Sequence, residues 1–224
     1  MLASKPPTRI YPEPVQPMIQ LIRKIIVALL PNRVILRSRL PDGSVVIGKN
    51  SPGYGGRGVF IFREELEYEL KFISDLVAPG ETVIDGGANV GVFTVLFGKA
   101  VGETGTVIAV EPFPESAAMN LRNIVNNRLR NVRLRVCCLS DLCGSQSFYL
   151  HKGKPNSFSL LEDGSSASFN SRVTTIDKLV ADEGLTRVDF IKLDVEGVEE
   201  ETLKGAENTI RKFNPTLLVE NTIT

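Results

Sequence analysis

The stretch Thr82–Gly91, TVIDGGANVG, decides the fold. Thr82, Val83 and Ile84 have strand character and run into an acid, Asp85. Gly86, Gly87 and Ala88 follow, then the polar Asn89, and Gly91 opens an amphipathic segment. A strand that ends in a glycine turn and feeds a helix is the nucleotide-binding start of a doubly wound α/β sheet. What it binds depends on Asp85 and on the strands around it.

Downstream, strand and helix signals alternate. Val92–Ala100 reads as a helix, Thr106–Pro112 as a strand, Glu115–Asn127 as a helix and Asn131–Asp141 as a strand. SQSFYLHK and SRVTTI read as strands flanking a serine- and glycine-rich loop over 153–170, a stretch without helical period. Strand Arg187–Gly197, helix Glu199–Phe213 and strand PTLLVEN complete the pattern. This alternation implies right-handed crossovers and a Rossmann-like, mostly parallel sheet covered on both faces.

Upstream, the proline-rich residues 1–14 read as a loose arm. Val15–Leu30 has apolar residues at helical spacing and is closed by Pro31. Packing on the domain or on a partner accounts for that stripe, while Arg23 and Lys24 also leave a membrane-surface helix open. Arg33–Ile47 reads as a hairpin turning at Pro41-Asp42-Gly43. After the glycine loop Ser51–Gly58, the run Val59–Phe62 reads as a short strand and Arg63–Val77 as a helix stopped by Pro79-Gly80. The expected organisation is an arm (1–14), a helix and hairpin extension (15–62) and one α/β domain (63–224).

A chain of 224 residues can bury a full core. Lys+Arg and Asp+Glu number 26 each, so no net field recruits nucleic acid or an anionic membrane. Cys137, Cys138 and Cys143 are odd in number and crowded, which suits neither a disulfide framework nor a zinc site. No apolar run approaches the ~20 residues of a membrane span. A reduced, cytoplasmic setting is the expectation.

Ligands of such sheets bind beyond the carboxyl ends of the strands. Four strand ends carry acids: Asp85, Glu111, Asp141, and Asp194 with Glu196. A pyrophosphate wants free backbone N–H groups and little negative charge, so Asp85 opposes it. The second glycine of the dinucleotide fingerprint is also missing, since Ala88 stands there. A nucleoside that carries a cation and no phosphate meets both objections, and S-adenosylmethionine is such a molecule. Asp85 then balances its charge and Gly87 permits close approach; a plain turn-capping Asp is the other reading. Glu111 suits the ribose hydroxyls, as it would in an NAD enzyme. Asp141 suits the adenine amino group or an Asx turn.

VIDGGANVGVFT, IAVEPFPES, the LSD turn, DFIKLDVEGVEEETLKGA and PTLLVEN, in this order and spacing, resemble FkbM-type methyltransferases over about Glu64–Asn221. The resemblance implies a class I, Rossmann-like, S-adenosylmethionine-dependent methyltransferase acting on hydroxyl oxygens. It carries the cofactor positions onto Asp85, Gly87, Asn89, Glu111 and Asp141, with Gly86, Ala88, Gly91, Pro112 and Ser140 beside them. The usual class I sheet has a sixth and an antiparallel seventh strand. The expectation here is a sheet without those last two strands, in which TLLVE is an apolar edge. The N-terminal helix, the hairpin or a homodimer contact through either end is the expected cover.

A hydroxyl acceptor must lose a proton. Asp194 and Glu196 are the candidate catalytic carboxylates, paired acid with acid; Glu196 as a helix cap is the plainer role. His151, the sole histidine, is a weaker base candidate. Lys192, in a strand buried on both faces, is expected to pair with an acid. Asp194, Glu220 and Asn221 leave a magnesium site open. Tyr54, Arg57, Glu65 and the 154–170 loop are candidates to line a pocket for a small-molecule or glycan acceptor. An NAD-type oxidoreductase and a noncatalytic methyltransferase-like binding protein are the competing readings.

Overall fold

In the computed structural model, residues 16–51, 55–150, 158–159, 168–195 and 197–220 are described. The described residues open with α1 (Gln16–Leu29) and the antiparallel hairpin β1 (Ile35–Arg39) and β2 (Val45–Lys49). Next come α2 (Gly56–Phe62), two 3-10 turns (Arg63–Glu65 and Tyr68–Phe72) and α3 (Ile73–Leu76). The α/β core follows as β3 (Thr82–Gly86), α4 (Val92–Ala100), β4 (Thr106–Val110), α5 (Pro114–Asn126) and β5 (Val132–Arg135). A second sheet uses β6 (Cys138–Leu139), β7 (Gly144–Leu150), β8 (Phe158–Ser159) and β9 (Ser168–Thr174). The chain then returns through α6 (Ile176–Asp182), β10 (Phe190–Leu193), α7 (Glu199–Lys204), α8 (Glu207–Phe213) and β11 (Thr216–Val219).

The central sheet is all parallel, in the order β11-β10-β3-β4-β5. Strand order reverses between β3 and β10, which is where such a sheet opens a ligand crevice. Rows of side chains alternate between faces, as the strand period of two requires. Phe190, Val83 and Val107 are register partners and enter one core, with Phe97 and Met119. Ile191, Ile84 and Ile108 form the next row and enter the other core, with Leu139, Ile176 and Leu179. All six are at most 1% exposed, and each contributes on the order of 2 kcal/mol by burial. The following row, Lys192, Asp85 and Ala109, therefore returns to the α4 face and places a cation beside an anion inside the protein.

The hairpin docks sideways on α5. Ile47 N donates to Asn123 Oδ1 at 2.8 Å, and Asn123 Nδ2 returns a bond to Ile47 O at 2.8 Å. One turn on, Asn127 repeats the exchange with Val45 at 2.9 and 2.6 Å. Two side-chain amides thus complete the open edge of β2. Asn123 Nδ2 also donates to Val90 O at 2.8 Å. The hairpin therefore does not cover β11, whose Leu217 is exposed.

Five local expectations change. Val59–Phe62 belongs to α2, not to a strand: an added Cβ on Gly56 would lie 2.4 Å from the Gly48 backbone, so helix and hairpin meet there glycine to glycine. The helix expected over Arg63–Val77 is two 3-10 turns and one short α turn. The expected strand Asn131–Asp141 divides between two sheets, and Cys137 and Cys138 enter different cores. Helix α6, absent from the sequence reading, is capped by Thr175, whose hydroxyl accepts from Lys178 N at 3.0 Å. The helix expected over Glu199–Phe213 breaks at Gly205, where a Cβ would lie 2.1 Å from Ser140 O.

Candidate active site

A crevice lies across the carboxyl ends of β10, β3 and β4. It is lined by Gly87, Asn89, Glu111, Pro112, Ser116, Cys138 and Asp194, among others. Its inner part is about 50 Å³, room for a few water-sized groups, so its rim must serve as part of any nucleoside-binding surface.

The turn after β3 has a fixed internal hydrogen-bond pattern. Gly87 N and Ala88 N both donate to Val110 O at 3.0 Å, Gly91 N donates to Ala88 O at 2.8 Å, and Asn89 N donates to Glu111 Oε2 at 2.8 Å. With these amides engaged, the turn offers no ready cradle to a phosphate. Gly87 is left-handed at φ +72, and a Cβ there would lie 1.7 Å from Asp194 O. The close approach that this glycine permits is to the end of β10. Gly91, at φ +90, opens α4 and leaves room for the Asn120 amide.

Glu111 is 5% exposed and takes backbone N–H groups on both oxygens, Asn89 on one and Phe113 at 2.9 Å on the other. Burial pushes its carboxyl up to about 7, against those two hydrogen bonds and the Lys192 charge. The neighbouring Asn89 Oδ1 is buried and has no hydrogen-bond partner among the described residues. Glu111 and Asn89 thus bring acceptors to a cavity wall. The thiols of Cys137 and Cys138 in the same wall are pushed up by burial to about 11 and about 12, so they are neutral apolar surface.

Below the crevice floor is a charge cluster. Asp85 is 0% exposed; its Oδ2 accepts from Thr94 Oγ1 at 2.6 Å, and Asn120 Nδ2 donates to that hydroxyl at 3.2 Å. Lys192 Nζ stands 3.8 Å from Asp85 Oδ1 and 3.2 Å from Asp194 Oδ2, donates to Gly87 O at 3.3 Å, and lies 5.0 Å over the Phe93 ring. Burial alone would lower the Lys192 ammonium, but Asp85, Asp194 and Glu67 hold it above its ordinary value. Burial raises Asp85, with Lys192 and Thr94 opposing. Glu220, just past β11, is pushed up to about 7, first by a hydrogen bond to the Asp194 carboxyl and then by its charge. Desolvation likewise raises Glu67, opposed by Lys192 and reinforced by Asp194. Around one ammonium, then, stand Asp85, Asp194, Glu67 and Glu220. A net negative crevice suits a cationic ligand.

The structure brings Gly87, Asn89, Glu111, Pro112 and Asp194 to one cavity. Asp85 sits behind it, facing Lys192. Ser140 and the exposed Asp141 share a 3.2 Å hydrogen bond and lie outside its lining. Arg57 is in α2 and ties Asn50 and Asn32 together at 2.9 and 3.2 Å. Glu65 accepts from Gln20 at 2.8 Å and lines a separate cavity of about 1050 Å³ between the N-terminal elements and the end of α4. Tyr54, His151, Glu196 and Asn221 lie outside the described residues. Lys192 meets its expected acids. The Asp194 partner in the described structure is Glu220, and Glu67 is an addition; both are acids at element ends, the pattern that marked Asp85 and Glu111.

The sheet order β11-β10-β3-β4-β5, with its glycine turn and acid-tipped strands, is the Rossmann-like fold of class I S-adenosylmethionine-dependent methyltransferases. The model of the Methyltransferase FkbM domain matches residues 85–223, and the chain belongs to that family. Methyltransferase sdnD of Sordaria araneosa is 26% identical over 179 residues, covering 66% of this chain and 68% of that protein. The 31-O-demethyl-FK506 methyltransferase FkbM of Streptomyces tacrolimicus is 27% identical over 206 residues, covering 78% and 77%. Among solved structures, an S-adenosylmethionine-dependent methyltransferase from Aquifex aeolicus aligns with TM-score 0.39 and 20% identity, over 72% of this chain and 70% of that one. The chain is an S-adenosylmethionine-dependent methyltransferase. The donor's ribose hydroxyls, ammonium and sulfonium match the acceptors and negative charge of the crevice, so the residues present fit it.

Proposed function

We propose that this enzyme methylates a hydroxyl oxygen of a small molecule or glycan, and that Asp194 and Glu220 together accept the hydroxyl proton. The observation that carries this reading is the place of Glu220 at the end of β11, where its N–H donates to Leu193 O at 2.9 Å and sets it beside Asp194 of the crevice lining; Asp194 pushes its carboxyl up to about 7. A base poised near neutrality is what deprotonation of an alcohol during transfer requires. The name of the Streptomyces tacrolimicus relative, which places its missing methyl on oxygen, points the same way.

S-adenosylmethionine, when bound, supplies an electrophilic methyl on sulfur. Glu111 and Asn89 would hold its sugar side through their oxygens, and Gly86, Ala88 and Gly91 shape the turn that presents Asn89. Lys192 holds one oxygen of the Asp194 carboxylate at 3.2 Å. The remaining contribution is alignment of acceptor, methyl and sulfur.

The test is Glu220→Gln. Methyl transfer to a hydroxyl acceptor is expected to fall by roughly 10²–10⁴-fold, with calorimetric affinity for S-adenosylmethionine preserved. The rate of the unaltered enzyme is expected to rise with pH through about 7, as Glu220 ionises, and the variant to lose that limb. A variant with undiminished turnover and an unchanged pH profile would move the proton elsewhere.

A further inference from the structure

Helix α1 turns its apolar side outward. Gln20, Arg23, Val27 and Leu30, at helical spacing, form its inward side. Gln20 donates to Glu65, Arg23 Nη1 donates to Ile61 O at 3.1 Å, and Val27 is buried with Leu36 and Ile61. The opposite side carries Met18, Leu21, Ile22, Ile25 and Leu29, exposed by 60, 58, 49, 52 and 81%. A surface helix of a globular protein ordinarily has the reverse arrangement. A contiguous exposed stripe of this kind is an interaction surface.

Its charge setting selects the occupant. Residues 16–63 hold eight Lys or Arg against one acid, Asp42, in a chain whose total charges balance. Between residues 16 and 41 there are five basic residues and no acid, and of these Lys24 of α1 and Arg33 just past its end are exposed. A second copy would bring this excess against itself. It would also gain little: a 14-residue helix about 21 Å long and 10 Å wide covers on the order of 200 Å², against ~800 Å² per partner in a standard interface. An anionic bilayer surface is attracted by the same charge and takes up an apolar helical stripe without a matching protein groove. No helix among the described residues is long and apolar enough to span a membrane. We propose that α1 is a monotopic anchor that lies in the headgroup plane of an anionic membrane, with Leu21, Ile25 and Leu29 inserted.

Flotation of the full chain with vesicles tests this. It is expected to float with phosphatidylcholine–phosphatidylglycerol vesicles, to float poorly with phosphatidylcholine alone, and to release as salt rises. The double variant Leu21→Gln/Ile25→Gln, altered only at exposed positions, is expected to lose at least about tenfold in vesicle affinity. Lys24→Gln/Arg33→Gln is expected to lose the preference for anionic vesicles. Absence of flotation, or flotation of the Leu21/Ile25 variant equal to the parent, overturns the proposal. A solution dimer that this variant dissociates, without vesicle binding, assigns the face to a second copy instead.

Discussion

Residues 16–63 and the α/β core treat charge in opposite ways. The first segment is basic, with none of its charges fully buried and an apolar helical stripe exposed beside them. The core gathers carboxylates at the ends of its strands and balances them with one buried ammonium, Lys192. The overall neutrality of the chain conceals this division. A surface charge costs little and acts at long range, whereas a buried one must be paired or it destabilises the fold. The core is therefore the more fragile of the two to a change of charge.

The sharpest way to break this contrast is Lys192→Met. It leaves Asp85 and Asp194 without their counter-ion, and a loss of about 3–5 kcal/mol is expected in chemical denaturation. Adding Asp85→Asn should recover much of that loss, because the uncompensated buried charge disappears. Next in size is Asn123→Ala, which separates the two regions rather than altering either. It removes bonds to Ile47 and Val90, and a loss of about 2–3 kcal/mol is expected by the same measurement. The third effect is a pH dependence and concerns Glu111. Its folded carboxyl keeps its proton to about pH 7, against an ordinary 4.5. The stability this group contributes is therefore complete below about pH 4.5 and is lost as pH rises through about 7. Stability measured across that window should slope downward, and less steeply in Glu111→Gln.

Much of this core could be read without coordinates. Apolar rows ending in acids gave β3, β4 and β10 and their common crevice, and the register that buries Lys192 beside Asp85 follows from strand periodicity. What escaped depended on contacts distant in sequence. Val59–Phe62 is a short apolar run with no period of its own, and the Gly48–Gly56 contact accompanies its helical form. Gly205 breaks a regular helical pattern where it meets the Ser140 backbone. Gly87 was legible as a position of close approach, but the chain's own Asp194 carbonyl is what it admits. The sequence groups Glu220 with Asp194 only as a candidate metal ligand, because its place beside the Asp194 carboxyl follows from β11 lying against β10.

The paired asparagines of α5 give the molecule a joint whose opening can be timed. Val45 and Ile47 donate their peptide hydrogens to Asn127 and Asn123 rather than to another strand. Those two hydrogens exchange with solvent when the hairpin lifts from α5, while the amides of β3 wait for the core itself to open. The ratio of the two exchange rates is a clock for motion of the extension alone. Since Asn123 also grips Val90, next to Asn89 of the turn after β3, bound S-adenosylmethionine should slow that clock from the far side of the helix.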